Sequence, residues 1–291
     1  MTAPIVVGVD GSASALTAVA WAAREAARHR VPLRFVHAYL LPAQGYPEFV
    51  VTGAEVREAF EQQGREWLEE AVAAARAVVP DVEVETSVVV DRPTTALVDE
   101  SRRARLVVLG SRGLGGFTGL LVGSVAVAVS AHGGCPVVVV REPEAAQGPV
   151  VVGVDGSPVS EEAVAFAFEE ASLRGAPLVA VSAWTDFPVD GAYAALFTVD
   201  WPRVEDEQHR VLAERLAGWQ EKYPDVEVTR TVVRDRPVRA LLDAAEGARL
   251  LVVGSRGRGG FTGMLLGSTS QSLVHHASCP LAVVRPRDDR R

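Results

Sequence analysis

The stretch Ile5-Val6-Val7-Gly8-Val9-Asp10-Gly11-Ser12 returns 145 residues later as Val150-Val151-Val152-Gly153-Val154-Asp155-Gly156-Ser157. A run of branched apolar residues closed by Asp-Gly-Ser reads as a buried strand that stops at a turn and opens a helix. Further matches appear outward from this pair. Val31-Pro32-Leu33 recurs as Ala176-Pro177-Leu178 at the same interval. Beyond that the interval is 144: Pro80-Asp81-Val82-Glu83-Val84 recurs as Pro224-Asp225-Val226-Glu227-Val228, Asp91-Arg92-Pro93 as Asp235-Arg236-Pro237, and Cys135-Pro136 as Cys279-Pro280. Gly110 to Ser124 returns as Gly254 to Ser268, and these fifteen positions differ only at Leu114/Arg258, Leu120/Met264 and Val122/Leu266. So long a period marks a duplicated domain, because solenoid repeats run to about 20–50 residues. The Pro/Gly/Glu-rich stretch Glu142 to Pro149 lacks apolar periodicity, which predicts one domain over 1–143 and a second over 147–291.

Within each copy, short Val/Ile/Leu runs alternate with amphipathic stretches. In the first copy the strands are predicted at 4–9, 32–39, 82–90, 106–109 and 136–140, and the helices at 13–30, 54–79, 94–103 and 124–132. Near-continuous apolar strands separated by helices imply a parallel sheet covered on both faces. The predicted fold is therefore α/β, with two tandem three-layer α/β/α domains, each built on a five-stranded parallel sheet. Ligands of such sheets sit beyond the carboxyl ends of the strands, where the strand order reverses. That rule directs attention to the residues just after Val9, Tyr39, Val90 and Leu109.

Composition narrows the chemistry. With 48% hydrophobic residues in 291, a large core is available and disorder is not the expected state. The net charge is −8, with 13 Arg against 17 acids in residues 1–146 and 16 basic residues against 20 acids after that, so each copy stands at −4. No basic footprint for nucleic acid is present in these totals. Of the 29 basic residues 28 are arginine, and the single lysine is Lys222. That excludes a Walker A loop, a kinase strand lysine and a Schiff-base lysine; Lys222, in a charged stretch before Pro224-Asp225, reads as a solvated surface residue. Two cysteines build neither a disulfide framework nor a metal cluster. No apolar run reaches the ~20 residues of a membrane span. With no basic segment ahead of the first strand, the expected location is the cytoplasm.

The chemistry-bearing block follows Leu109. Gly110-Ser111-Arg112-Gly113 opens a glycine-rich turn that ends in Gly123-Ser124 and a helix, and Gly254-Ser255-Arg256-Gly257 does the same before Gly267-Ser268. Glycines admit close backbone approach and positive φ. Backbone N–H groups and a helix N-terminus supply partial positive charge for a phosphate. Ser124 suits an N-cap or an extra phosphate donor, and Arg112 lends charge where no lysine exists. The competing account is a plain loop whose glycines serve turns. Its retention between copies, while the helices at 54–79 and 200–223 have drifted, favours the phosphate account.

These residues carry a resemblance. Gly-x2-Gly-x9-Gly-Ser after a Val-Val-Leu-Gly strand, with Val-Gly-Val-Asp-Gly-Ser at the start, resembles the universal stress protein family in its ATP-binding subclass. Both halves are covered, so the chain looks like a tandem member. The resemblance implies one ATP per half. It places Asp10 with Ala38, and Asp155 with Ala183, on the adenosine, and Gly8 and Gly153 beneath the nucleotide. The candidate phosphate residues are then Gly110, Ser111, Arg112, Gly113, Gly116, Gly123, Ser124 and Val125, and in the second copy Gly254, Ser255, Arg256, Gly257, Gly260, Gly267, Ser268 and Thr269. Asp91 and Asp235 stand where many relatives carry glycine, which leaves that turn's role open.

For Asp10 and Asp155 two readings compete, contact with ribose or adenine and a helix N-cap; the first is favoured. A carboxylate there also suits Mg²⁺ held through phosphates, but no second acid matches it, so no protein-held metal is assigned. His37 has Ser182 as its counterpart and reads as a core or rim histidine. His132 and His276 recur near a helix C-terminus, where a cation is favourable. Cys135 and Cys279 read as small buried hydrophobes. The last strands, Val137 to Val140 and Leu281 to Val284, are apolar edges that need cover; the two halves are expected to pair through them about a pseudo-twofold axis, with a homodimer through sheet edges as a further option. The leading expectation is an ATP-binding regulator or sensor of stress response, with an unknown protein partner. Its rivals are a slow ATPase or nucleotidyl-transferring enzyme of the same fold and a nucleotide-free scaffold.

Overall fold

The computed structural model of the chain describes residues 2–41, 53–114, 122–184, 201–257 and 265–286. Two compact units result, Met1–Pro143 and Glu144–Pro286. The first contains β1 (Ile5–Gly8), α1 (Ala13–His29), β2 (Leu33–Tyr39), α2 (Gly53–Val78), β3 (Val84–Val90), α3 (Pro93–Ser101), β4 (Leu106–Gly110), α4 (Ser124–His132) and β5 (Val137–Val140). The second contains β6 (Val150–Gly153), α5 (Pro158–Arg174), β7 (Leu178–Trp184), α6 (Trp201–Lys222), β8 (Val228–Arg234), α7 (Pro237–Ala244), β9 (Leu250–Gly254), α8 (Ser268–His276) and β10 (Leu281–Val284). The predicted elements of the first copy are all present, with ends shifted by one or two residues.

In the first unit the strand order is β3-β2-β1-β4-β5, and every neighbouring pair is parallel. Ile5 stands level with Leu33 on one side and Leu106 on the other, and Gly110 level with Val140. The second unit repeats this as β8-β7-β6-β9-β10. In each unit the order reverses between the first and fourth strands, which puts the crevice at the carboxyl ends of β1 and β4, and of β6 and β9.

The central strands are apolar on both faces because helices cover both. Ile5, Val6, Val7, Val107, Val108, Val137 and Val138 are fully buried, as are Val150, Val151, Val152, Leu250 and Val252 in the second unit. α1 packs with α2, and α3 with α4. β3, at the end of this strand order, has only half-buried and exposed residues, in contrast to the central strands. Helix ends follow local rules. Ser12 caps α1 by accepting the Ala15 N–H, Ser157 caps α5 by accepting the Ser160 N–H, and Gly175 closes α5 in the left-handed region at φ +56°.

Both cysteines are buried. Burial pushes the Cys279 thiol up to about 11. The thiolate is the nucleophile, so a raised value leaves the neutral thiol in place up to high pH. At pH 8 Cys279 in the folded protein will therefore react with a maleimide roughly 100-fold more slowly than in the denatured chain, a ratio set by the thiolate fractions and read by peptide mapping of that residue. Comparable labelling rates in the two states would contradict this burial.

No helix among the described residues is long and apolar enough to cross a membrane.

Candidate functional site

The site is built from four pieces of backbone that the topology brings together. Asp10 leaves β1 and Ala38 lies near the end of β2; Gly110 to Leu114 leave β4, and Gly123 leads into α4. Gly8 pairs with Val36, so residue 10 falls level with residue 38 if the register is continued by two.

Asp10 is held firmly. Its Oδ1 accepts the Ser12 N–H at 3.1 Å and the Ser12 hydroxyl at 2.6 Å, and its Oδ2 accepts the Leu114 N–H at 3.1 Å. The Ser12 hydroxyl also lies 3.2 Å from the Arg112 carbonyl oxygen, and the Arg112 N–H donates to Ser14 Oγ at 3.3 Å. The carboxylate thus stitches the end of β1 to the glycine loop after β4. Asp155 repeats the first half of this arrangement, accepting the Ser157 N–H at 2.9 Å and its hydroxyl at 2.7 Å. Neither aspartate is a helix cap; Ser12 and Ser157 take that role. The intervening Gly11 and Gly156 adopt φ +79° and +75°, a region that disfavours any residue with a side chain.

The glycines of the motif separate into two groups when a Cβ is imagined on each. Under Gly8 the space is taken by Leu109 and Leu97, and under Gly153 by Leu241 and Val253. A Cβ on Gly110 would meet the backbone of Ser14 at 2.6 Å, and one on Gly254 would meet Val159 at 3.0 Å. On Gly113 or Gly257 it would fall on Oδ2 of Asp10 or Asp155. The chain's own packing therefore accounts for six glycines. Gly123 and Gly267 are different. Among the described residues, nothing comes closer than 3.7 Å to a Cβ on the first or 3.4 Å on the second, and both have ordinary extended backbones, at φ −70° and −68°. Among the described residues, no contact or dihedral requires glycine at either position.

These two residues are the N-caps of α4 and α8, and neither offers a side-chain cap. Here the sequence expectation needs correction: Ser124 is the first helical residue, not the cap, because the extended conformation belongs to Gly123. The same holds for Ser268 and Gly267. A capping serine would have satisfied an N–H of the first turn with its own hydroxyl. With glycine there, the N-terminal N–H groups of α4 and α8 keep their donor capacity and partial positive charge. Ser124 and Ser268 are exposed beside them, and Val125 and Thr269 follow in the first turn. The loop is anchored behind this opening: the Gly123 N–H donates to the Ser111 carbonyl at 2.8 Å and the Ser111 N–H to the Val140 carbonyl at 2.9 Å. The second unit has the same two bonds, from Gly267 to Ser255 and from Ser255 to Val284. Ser255 is fully buried and its hydroxyl has no partner among the described residues.

Arg112 and Arg256 are exposed. Ala38 and Ala183 are half-buried at matching places on β2 and β7. Gly116 and Gly260 lie outside the described residues, as do the loops at 42–52 and 186–199. Asp91 and Asp235 sit at the turns after β3 and β8, each accepting the N–H of the following arginine at 2.6 Å.

Residues outside the expected set also shape the first unit's crevice. A Cβ on Gly11 would run into the indole of Trp67 on α2. His37 is buried and its Nδ1 lies 2.8 Å from the Val9 carbonyl oxygen, with its ring 5.1 Å from that of Trp67. This is a satisfied core histidine, as its lack of a counterpart suggested. The second unit has Ser182 and Val211 at the corresponding positions, so the repeat comparison that singled out the glycines passed over Trp67. His132 ends α4, with Nδ1 2.8 Å from the Ala128 carbonyl oxygen. Lys222 is exposed on α6, its ammonium 5.0 Å from the Trp219 ring and 5.2 Å from that of Tyr223, far from the glycine loops in sequence and element.

Each unit is thus a doubly wound α/β domain with a glycine-capped helix N-terminus at its switch point. Comparison with known proteins refines that class. The universal stress protein family model matches residues 1–141 and again 148–285. Universal stress protein Rv2005c of Mycobacterium tuberculosis is 43% identical over 294 residues, spanning 97% of this chain and 96% of its own. A universal stress protein of Mycolicibacterium smegmatis is 41% identical over 292 residues, with 97% of each chain covered. A crystal structure of a universal stress protein from Archaeoglobus fulgidus superimposes with a TM-score of 0.71 at 20% identity, covering 98% of both chains, which shows the shared fold. The chain belongs to the universal stress protein family and carries its domain twice.

Proposed function

We propose that each unit binds one ATP and that the chain acts as a nucleotide-dependent regulator or sensor in stress response rather than as a catalyst of rapid turnover. The observation that carries this reading is the pair of glycine N-caps, Gly123 and Gly267, where no contact among the described residues calls for the missing side chain. A phosphate oxygen has the size and charge to use that space, accepting the uncapped N–H groups of the first turn. Ser124 and Ser268 add hydroxyl donors at the same level.

The adenosine end falls on Asp10 and Ala38, and on Asp155 and Ala183. Carboxylate oxygens accept two hydrogen bonds each. Asp10 Oδ2 holds one, from Leu114, and retains capacity for a ribose hydroxyl. The half-buried alanines suit the flat, apolar face of a base. Mg²⁺ would enter with the triphosphate, held mainly by phosphate oxygens.

Retention is favoured over hydrolysis by the donor chemistry. Backbone amides are fixed in place, and the only lysine lies on α6, so no mobile ammonium follows charge that develops on a transferred phosphoryl group. Incubation with ATP and measurement of released phosphate tests this directly. Release will stay well below ~1 s⁻¹; sustained release at that rate or faster, in the range of working enzymes, would favour the enzymatic rival.

A further inference from the structure

The Val140 carbonyl that receives the Ser111 N–H is followed at once by Arg141, and the Val284 carbonyl that receives the Ser255 N–H by Arg285. The last strand of each unit therefore delivers an arginine beside the glycine loop. In the second unit Arg285 Nη1 donates to the Leu265 carbonyl at 3.3 Å, two residues before the Gly267 cap. In the first unit burial, and then the charge of Arg112, pull the Arg141 guanidinium below its ordinary value, while Glu142 acts in the opposite sense. Two guanidinium groups thus lie within each other's field beside the loop, where an anionic ligand gains from both. That local positive field stands out in a chain of net charge −8.

Position says which part of a ligand this field meets. Asp10 follows β1, the glycine loop follows β4 and Arg141 follows β5, and these strands are neighbours in that order. At about 4.8 Å between strands, Arg141 lies roughly 10 Å across the sheet end from the β1 position. A nucleoside monophosphate anchored at Asp10 ends near β4, whereas a di- or triphosphate extends toward β5. β6, β9 and β10 repeat the layout with Asp155, the second loop and Arg285.

We infer that Arg141 and Arg285 read the terminal phosphates of the bound nucleotide, acting with Arg112 and Arg256, and so set the preference for nucleoside tri- and diphosphates over monophosphates. The inference rests on the proposed nucleotide site and assigns it a length selectivity. Guanidinium geometry suits two phosphate oxygens at once, and replacement of an interaction of this kind commonly costs about tenfold in affinity.

Calorimetric titration of the wild-type chain and of Arg141→Gln/Arg285→Gln with ATP, ADP and AMP tests it. Wild type will bind ATP at least ~10-fold more tightly than AMP. The double variant will lose about that factor for ATP and keep its AMP affinity within about twofold, and Arg141→Lys/Arg285→Lys will recover part of the ATP affinity. Adding salt will weaken ATP binding less steeply in the Gln variant than in wild type. A variant that binds AMP with wild-type affinity but retains the full ATP preference overturns the inference and leaves the nucleotide site standing. Equal losses for AMP and ATP would mean that the arginines shape the loop rather than read phosphate number, which also overturns it. A wild-type chain that binds none of the three overturns both readings.

Discussion

Gly123→Ala combined with Gly267→Ala will abolish nucleotide binding in a protein that remains folded. Both positions have φ near −70°, so alanine introduces no backbone strain, and no atom of the described residues lies closer than 3.4 Å to the added methyl. Alanine is a poorer N-cap than glycine, while its smaller backbone entropy in the unfolded chain works the other way. The two effects are each about 1 kcal/mol or less and partly cancel. Ligand binding has no such compensation. The methyl groups enter the space assigned to phosphate and separate it from several N–H donors, each worth about 1.5–3 kcal/mol to a charged acceptor. An affinity loss of ~100-fold or more is expected, read by titration with ATP, beside a melting midpoint within a few degrees of wild type. Gly113→Ala and Gly257→Ala do not offer the same clean test, because their methyl groups meet the carboxylates of Asp10 and Asp155 first. Loss of nucleotide in those variants would report a displaced aspartate as readily as a blocked phosphate.

Phe35→Ala will produce the largest loss of stability among single substitutions considered for the first unit. Phe35 is on β2, which pairs with both β1 and β3, and its side chain is fully buried. Truncating a buried phenylalanine removes its transfer energy and leaves a cavity, at a cost of about 3–5 kcal/mol. For a unit of this size the melting midpoint falls by roughly 10 °C. The second unit carries Ala180 at the corresponding position, also fully buried, and has Phe168 on α5 where the first unit has Ala23 on α1. Phe168 stacks there at 6.2 Å from Trp219 and 5.9 Å from Tyr223. The two cores thus place their aromatic volume differently, and Ala180 is no guide to what the first unit tolerates. A midpoint shift under about 2 °C for Phe35→Ala would contradict this view of the core.

That difference also marks how far the sequence could be read. The elements were legible because Ile5 to Val9, Leu106 to Leu109 and Val137 to Val140 are strands buried on both faces and therefore apolar throughout. The duplication then repeated most of the boundaries. The crevice followed from topology, since strand–helix alternation leaves few places for a switch point. The glycines were visible as a pattern, but their separate tasks were not. Whether Gly8 makes room for Leu109, Gly113 for Asp10, or Gly123 for something outside the chain depends on contacts between residues up to about a hundred positions apart. The capping role was misplaced by one residue because Ser is the commoner cap and only the backbone angles of Gly123 and Gly267 reveal which residue is extended. Trp67 was not legible as part of the crevice for the opposite reason, whereas the missing counterpart of His37 did mark it as a core histidine. Trp67 has no counterpart in the second copy, and a match between the copies marks only what both retain. Arg141 and Arg285 do recur, but one residue beyond a Val-rich strand they look like ordinary polar ends until the hydrogen bonds of Val140 and Val284 place the loop beside them.

The account turns on whether the openings at Gly123 and Gly267 hold a nucleotide. Freshly purified protein, desalted, denatured and analysed by mass spectrometry for released small molecules, answers this without a choice of added ligand. The account predicts ATP at a substantial fraction of one molecule per unit in wild type and its loss from the Gly123→Ala/Gly267→Ala variant. ADP as the sole nucleotide would point to turnover. Absence of any adenine nucleotide from wild type, together with no binding of ATP added at millimolar concentration, would contradict the account and leave the chain an interaction scaffold.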